Sequence, residues 1–210
     1  MTQSNWFRIV VCGVGGQGVL LISRILCEAA MRANLPVVSG EIRNMAQRGG
    51  AVQATVVIGG ARSTVVPDGG AEVVLGLEPM ETARVSRYMG EHTLVITNTH
   101  PIVPFTLTVQ GRAYPPLSDL LSPVRQRTGE LFTLDATRVA EKTGSIRVLN
   151  TVMLGVLAGR SSIPIDKQVI ERTIAEESPP ALARLNVEAF RAGVACSGEA
   201  VGIRGSRTKA

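Results

Sequence analysis

Apolar residues in this chain fall into two rhythms, short unbroken runs and longer stretches at helical spacing, and the two alternate. Phe7 to Cys12 (FRIVVC) is a β-rich run that stops at Gly13. After a glycine-dense segment, Val19, Leu20, Ile22, Ile25, Leu26, Ala29 and Ala30 recur at helical spacing as far as Arg32. Asn34 ends that helix, and Leu35 to Ser39 is again short and apolar. The pattern predicts strand, loop, helix and strand, the opening unit of a parallel α/β sheet.

The rhythm continues to the end of the chain. Gly40 to Gly50 reads as a polar, irregular loop. Ala51 to Ile58 alternates as a strand, Gly59-Gly60 reads as a hairpin turn, and Thr64 to Val66 is the expected return strand. Val73 to Leu77 and Thr93 to Thr97 are further strands, with Glu78-Pro79 opening a helix between them. His100 to Pro123 is proline-rich and is expected to wrap the surface as extended chain with a short helix. Leu131 to Leu134 reads as a strand, and Asp135 as the cap of a helix ending at Gly144. Asn150 is expected to cap an apolar helix from Thr151 to Ala158. Asp166 to Glu177 and Ala181 to Ala195 read as two closing helices. The expectation is a single Rossmann-like α/β domain over residues 1–201, with a mostly parallel sheet and a β-hairpin insertion, followed by a disordered tail at 202–210.

Composition narrows the function classes. With 45% hydrophobic and 19% charged residues over 210 positions, the chain can bury a sizeable core and is neither disordered nor coiled coil. Its formal charge of +5 looks basic, but Arg204, Arg207 and Lys209 in the tail carry three of those charges. The remaining +2, with only 3% aromatics, does not suggest a nucleic-acid partner. The longest apolar stretch, Val148 to Gly159, is shorter than the ~20 residues of a membrane helix, and Met1 to Asn5 is polar with no basic residue, so no signal peptide is expected. No membrane association is expected, and the expected location is cytoplasmic. Cys12, Cys27 and Cys196 form no CxxC pair and sit at no metal-ligand spacing with His92 or His100, so this chain is expected to bind no metal or iron–sulfur cluster of its own.

The residues left for chemistry cluster after the strands. Gly13, Gly15 and Gly18 match GxGxxG between a strand and a helix, a setting in which backbone N–H groups and the helix N-terminus attract a phosphate. Glu41, 23 positions after Gly18, resembles the acidic residue that binds a ribose in dinucleotide folds, although Gly16 and Gln17 are untypical of a nicotinamide fingerprint. If the first two strands are parallel neighbours, the loop holding Gln47, Arg48, Gly49 and Gly50 shares an edge with the glycine loop, and Arg48 offers a planar cation to a phosphate or carboxylate. Arg43 is a second candidate. Glu78, Asn98 and His100 follow later strands, and Asn150 is a cap with a chance of reaching a ligand. No GxSxG elbow, Walker lysine or HExxH is present. The chain looks built to bind an anionic group or a partner without carrying a whole reaction.

Five segments occur in one order: GVGGQGVLLISRIL, EIRNMAQRGGAVQATVVIG, DGGAEVVLGLEPMETAR, TNTHPIVP and NTVMLGVLAG. Together they resemble the gamma-type domain of 2-oxoacid:ferredoxin oxidoreductases over roughly residues 7–195, with MAQRGG (Met45 to Gly50) favouring the indolepyruvate branch. The resemblance implies oxidative decarboxylation of an aryl or related 2-oxoacid with coenzyme A as co-substrate, giving an acyl-CoA and reduced ferredoxin. It also implies that thiamine diphosphate, Mg and [4Fe-4S] clusters lie on a large alpha-type partner subunit. Gly13 to Gly18 and Gln47 to Gly50 would then line a cleft beside the partner's thiamine site, with no covalent catalyst on this chain. The isolated chain could form a homodimer through the face the partner normally covers. Two rival readings remain open: a self-sufficient Rossmann oxidoreductase binding NAD or FAD, and a non-catalytic accessory protein of the same fold.

Overall fold

A computed structural model describes residues 6–43 and 50–198. Its centre is a six-stranded sheet in the order β2-β3-β1-β4-β5-β6. The strands are β1 (Phe7–Val14), β2 (Val37–Arg43), β3 (Ala51–Ile58), β4 (Val73–Gly76), β5 (Leu94–Asn98) and β6 (Glu130–Leu134). From β1 through β4 and β5 to β6 every pairing is parallel, as the βαβ rhythm requires.

The other side of β1 departs from expectation. β3 lies between β1 and β2 and runs antiparallel to both, with Val14 opposite Ala51 and Arg43 opposite Val52. The first two strands are therefore not neighbours. The consecutive strands that pair antiparallel are β2 and β3, and the expected return strand at Thr64 to Val66 is irregular. The reason lies in burial. The last five residues of β3 are all buried, which suits an interior strand with two partners better than an edge. β2 extends four residues past the predicted Ser39 to supply the second partner.

Among the described residues there are eight helices, most of them packed on the two faces: α1 (Val19–Arg32), α2 (Pro79–Arg84), α3 (Phe105–Val109), α4 (Leu117–Arg127), α5 (Ala136–Thr143), α6 (Leu149–Arg160), α7 (Lys167–Glu177) and α8 (Pro180–Cys196). Strand alternation assigns the layers. Ile9 and Val11 point to one face, where they pack with α1, α5, α6 and α8 in the larger core. Val10 and Cys12 point to the other, with Val74, Val95, Tyr88, Leu121 and Val124. The apolar run that is too short for a membrane becomes α6, whose residues Leu149 to Leu157 are all buried. No described helix is long and apolar enough to cross a membrane.

Local capping follows the sequence in three places. Asp135 accepts a hydrogen bond from Arg138 N (2.9 Å) at the start of α5, and Asp166 accepts from Gln168 N (2.7 Å) at α7. Glu78 accepts from Glu81 N (2.9 Å) at α2. Asn150 differs. A short 3-10 turn, Ile146–Val148, leads directly into α6, so Asn150 lies within its first turn and not at its cap. The proline-rich stretch also holds more helix than expected, since α4 runs through Pro123.

Candidate functional site

The parallel strands β1, β4, β5 and β6 end on one edge of the sheet, at Val14, Gly76, Asn98 and Leu134, and β3 begins there at Ala51. Ligands of open α/β sheets bind at this carboxyl edge. The glycine loop leaves β1 here and turns into α1. Gly18 sits at the helix N-cap with φ 88°, a left-handed conformation natural to glycine. No side chain caps α1, and its first turn carries no acidic residue. Its first N–H groups and partial positive charge are thus open to an anion.

Gln17 fixes the loop. Its Oε1 accepts from Val14 N (2.7 Å), and its Nε2 donates to Leu77 O (3.0 Å) at the end of β4. Gly13 lies buried beneath it, whereas Gly15 and Gly16 are exposed. Gly15 N donates to Gly50 O (2.9 Å), so the glycine loop and the chain leading into β3 are joined at this edge. A groove of about 250 Å³ opens beside Gly16, Gly18, Leu20 and Val52. Gln47, Arg48 and Gly49 lie outside the described residues.

Asn150 approaches from α6. Its side chain occupies the space a Cβ on Gly18 would need, with Cγ 2.9 Å from that position. The residue is 6% exposed. Its Oδ1 accepts from Thr151 N (2.9 Å), and its Nδ2 donates to no described residue. The structure therefore brings together Gly13, Gly15, Gly16, Gln17, Gly18, Gly50 and Asn150.

Glu41 and Asn98 stand apart from this group. Glu41 is exposed on the edge strand β2, and the register through Ala54 puts it level with Val11, two strands out. In a dinucleotide fold a parallel strand would carry the acidic residue beside β1, and here antiparallel β3 takes that place. Asn98 is buried at the end of β5 with its amide fully engaged. Its Nδ2 donates to Leu77 O and Thr137 Oγ1 (both 3.2 Å), and its Oδ1 accepts from Ala136 N (3.0 Å) and His100 N (3.4 Å). It ties β4, β5 and α5 together. His100 is exposed.

Sequence reasoning missed a buried carboxylate latch at the same edge. Glu78, 1% exposed, accepts from Tyr114 Oη (2.5 Å) and Ile102 N (3.3 Å) as well as from Glu81 N. Tyr114 Oη in turn accepts from Met80 N (3.1 Å). One carboxylate thus holds both ends of the segment 102–114. Burial and the adjacent Glu78 push the Tyr114 hydroxyl well above its usual range. Burial also raises Glu81, against the opposing pull of Arg84 at 3.0 Å. It raises the Cys12 thiol too, which leaves that cysteine protonated and unreactive. Among the described residues no group of three or more His, Cys, Asp or Glu side chains could hold a metal ion.

Residues 8–196 match the pyruvate ferredoxin/flavodoxin oxidoreductase family. The chain belongs to that family. Among its relatives in the family is the indolepyruvate oxidoreductase subunit IorB of Archaeoglobus fulgidus, 41% identical over 89% of this chain and 92% of that one. The IorB subunit of Methanothermobacter thermautotrophicus is 39% identical over 92% of this chain and 98% of its own. Among solved structures, the pyruvate oxidoreductase subunit PORC of Thermotoga maritima superposes with a TM-score of 0.68 at 25% identity, covering 90% of this chain and 96% of that one. The oxidoreductase family thus spans both cores and the whole carboxyl edge of this chain.

Proposed function

We propose that this chain is the cluster-free subunit of a thiamine-dependent 2-oxoacid:ferredoxin oxidoreductase of the indolepyruvate type, active only with a large alpha-type partner. The observation that carries the reading is the 41% identity to an indolepyruvate oxidoreductase subunit across nearly the whole chain. The donor set of this chain agrees. Its three cysteines lie on β1, α1 and the end of α8, and no described cluster of side chains suits an iron–sulfur centre or Mg. In this reading thiamine diphosphate and the clusters belong to the partner, where they would supply the electron sink and the electron path to ferredoxin.

The role left to this chain is binding. The N-terminus of α1, with the glycine loop held in shape by Gln17, presents N–H donors to an anionic group. Asn150 adds an amide donor at the same place. Arg48 would add a cation. The group received is a coenzyme A phosphate or the carboxylate of the 2-oxoacid, held beside the partner's reacting centre.

The test is an anoxic pull-down of the tagged chain from its native cells, with mass spectrometry of what co-elutes. The expected result is a brown complex with one large thiamine- and cluster-binding subunit that reduces ferredoxin with an aryl 2-oxoacid and coenzyme A. A colourless chain eluting alone, while other fractions of the same lysate hold the activity, overturns the reading.

A further inference from the structure

A second cavity, separate from the glycine-loop groove, lies between α1, α6, α7 and α8. Its volume is about 520 Å³, within the range of small-molecule sites. The walls are apolar: Leu21, Ile22 and Ile25 from α1, Leu154 from α6, Ile174 from α7 and Leu185 from α8. Leu21 and Leu182, 42% and 45% exposed, stand at its rim.

The polar groups in the wall are linked by hydrogen bonds. Asn150 Oδ1 accepts from Thr151 N (2.9 Å), Asn186 Oδ1 accepts from Thr151 Oγ1 (3.2 Å), and Ser178 Oγ accepts from Asn186 Nδ2 (2.9 Å). Both amide oxygens of the wall are thus engaged. Donors are left over as well: the Ser178 hydroxyl hydrogen, the second hydrogen of the Asn186 amide, and the Asn150 Nδ2 at the boundary with the glycine loop. Charge points the same way. The rim carboxylate of Glu177 is answered by Arg24 (2.6 Å) and Arg32 (3.3 Å). Arg147, also in the wall, has no ion-pair or side-chain hydrogen-bond partner among the described residues. A ligand that satisfies this cavity brings an apolar body and an anionic acceptor.

We propose that the cavity between α1, α6, α7 and α8 binds an amphiphilic monocarboxylate, its apolar body among Leu21, Ile25, Leu154, Ile174 and Leu185 and its carboxylate toward Arg147 and the Ser178–Asn186 donors. The site shares Asn150 with the glycine-loop edge, but its carboxylate is placed on Arg147, Ser178 and Asn186, which take no part in the proposed enzymatic role.

Two probes test it by isothermal titration calorimetry on the full 210-residue chain: decanoate, whose flexible chain adapts to any cavity shape, and 2-naphthoate, which is compact and aromatic. Saturable binding of either at one site per chain is expected, and the tighter probe reports whether the cavity prefers a straight chain or a ring. Arg147→Gln should lower the ratio of decanoate to decanol affinity about three- to tenfold, a modest effect because Arg147 is exposed. Leu21→Trp with Leu182→Trp, both at the rim and so harmless to the core, should weaken both probes at least about tenfold at an unchanged melting temperature. The proposal is overturned by the absence of saturable binding, by unchanged binding in the rim variant, or by an unchanged ratio in Arg147→Gln. Loss of binding once a partner subunit occupies the chain would also overturn it, by making the cavity part of an interface.

Discussion

Asn150 fills the space that any side chain on Gly18 would enter, and in doing so ties the first turn of α6 to the first turn of α1. Two penalties act together on Gly18→Ala. The left-handed φ of 88° costs about 1–2 kcal/mol for alanine, and the Asn150 side chain must also move. The expected loss is about 2–4 kcal/mol by urea unfolding. Asn150→Ala removes the obstruction but not the backbone strain. The double variant should therefore be more stable than the sum of the singles by about 1 kcal/mol, and strict additivity would show that the contact does not matter.

A similar contest decides Gly155. Alanine is the better helix former by about 1 kcal/mol, so Gly155→Ala ought to stabilise an isolated helix. In the protein the added Cβ would collide with the backbone carbonyl of Phe190 and lie 3.0 Å from Val194 N on α8. Gly193 faces Val152 on α6 in the same way. Backbone cannot rotate aside as a side chain can, so packing outweighs propensity. Gly155→Ala is expected to cost about 3 kcal/mol or to prevent folding. A variant with a melting temperature at or above the parent would refute the close crossing of α6 and α8.

These two contacts also mark what can be read from sequence. The four parallel-type strands, the glycine loop and the caps at Glu78, Asp135 and Asp166 follow from local pattern, because each depends on residues within a few positions. The insertion of β3 between β1 and β2 depends on a choice between two partners for one apolar strand. The glycine pair Gly59-Gly60 pointed to a local hairpin with Thr64 to Val66 instead. The edge rule puts the glycine loop beside Gly50 through the wrong neighbour, since β3 and not β2 adjoins β1, yet Gly15 N does donate to Gly50 O there. Asn98 read as an edge residue and is one, but its amide is consumed internally. Tyr114 leaves no local trace: it lies inside a stretch whose prolines hide any period, and its partner Glu78 is 36 positions away.

That latch yields a prediction of its own. Tyr114→Phe keeps the ring but removes the hydroxyl that donates to Glu78 and accepts from Met80 N. A buried carboxylate losing its best donor costs about 1–3 kcal/mol. The loss should be local as well as global. Amide exchange in the segment 102–114 should speed up more than in β4 or β5, since Ile102 and Tyr114 anchor the segment's ends to the same side chain. Uniform acceleration across the sheet would mean that Glu78 acts as a core group and not as a latch.

Glu81 sets a pH dependence. Burial raises its pKa in the folded chain, mainly by desolvation and less by Glu78, with Arg84 opposing. In the unfolded chain the carboxyl titrates near the ordinary glutamate value of about 4.3. Between those two values the folded state holds the proton and the unfolded state has lost it. Unfolding then releases a proton, so this group's contribution to stability falls as pH rises through the window. Below the window Glu81 is neutral in both states, and above it charged in both, so the slope vanishes at either end. Glu81→Gln removes the titration. The stability of the parent relative to Glu81→Gln should decline from about pH 4 upward and then level off, as read from urea midpoints at a series of pH values. A relative stability that rises with pH across that range would mean that Arg84 outweighs burial and that the Glu81 carboxylate is favoured, not penalised, by its site.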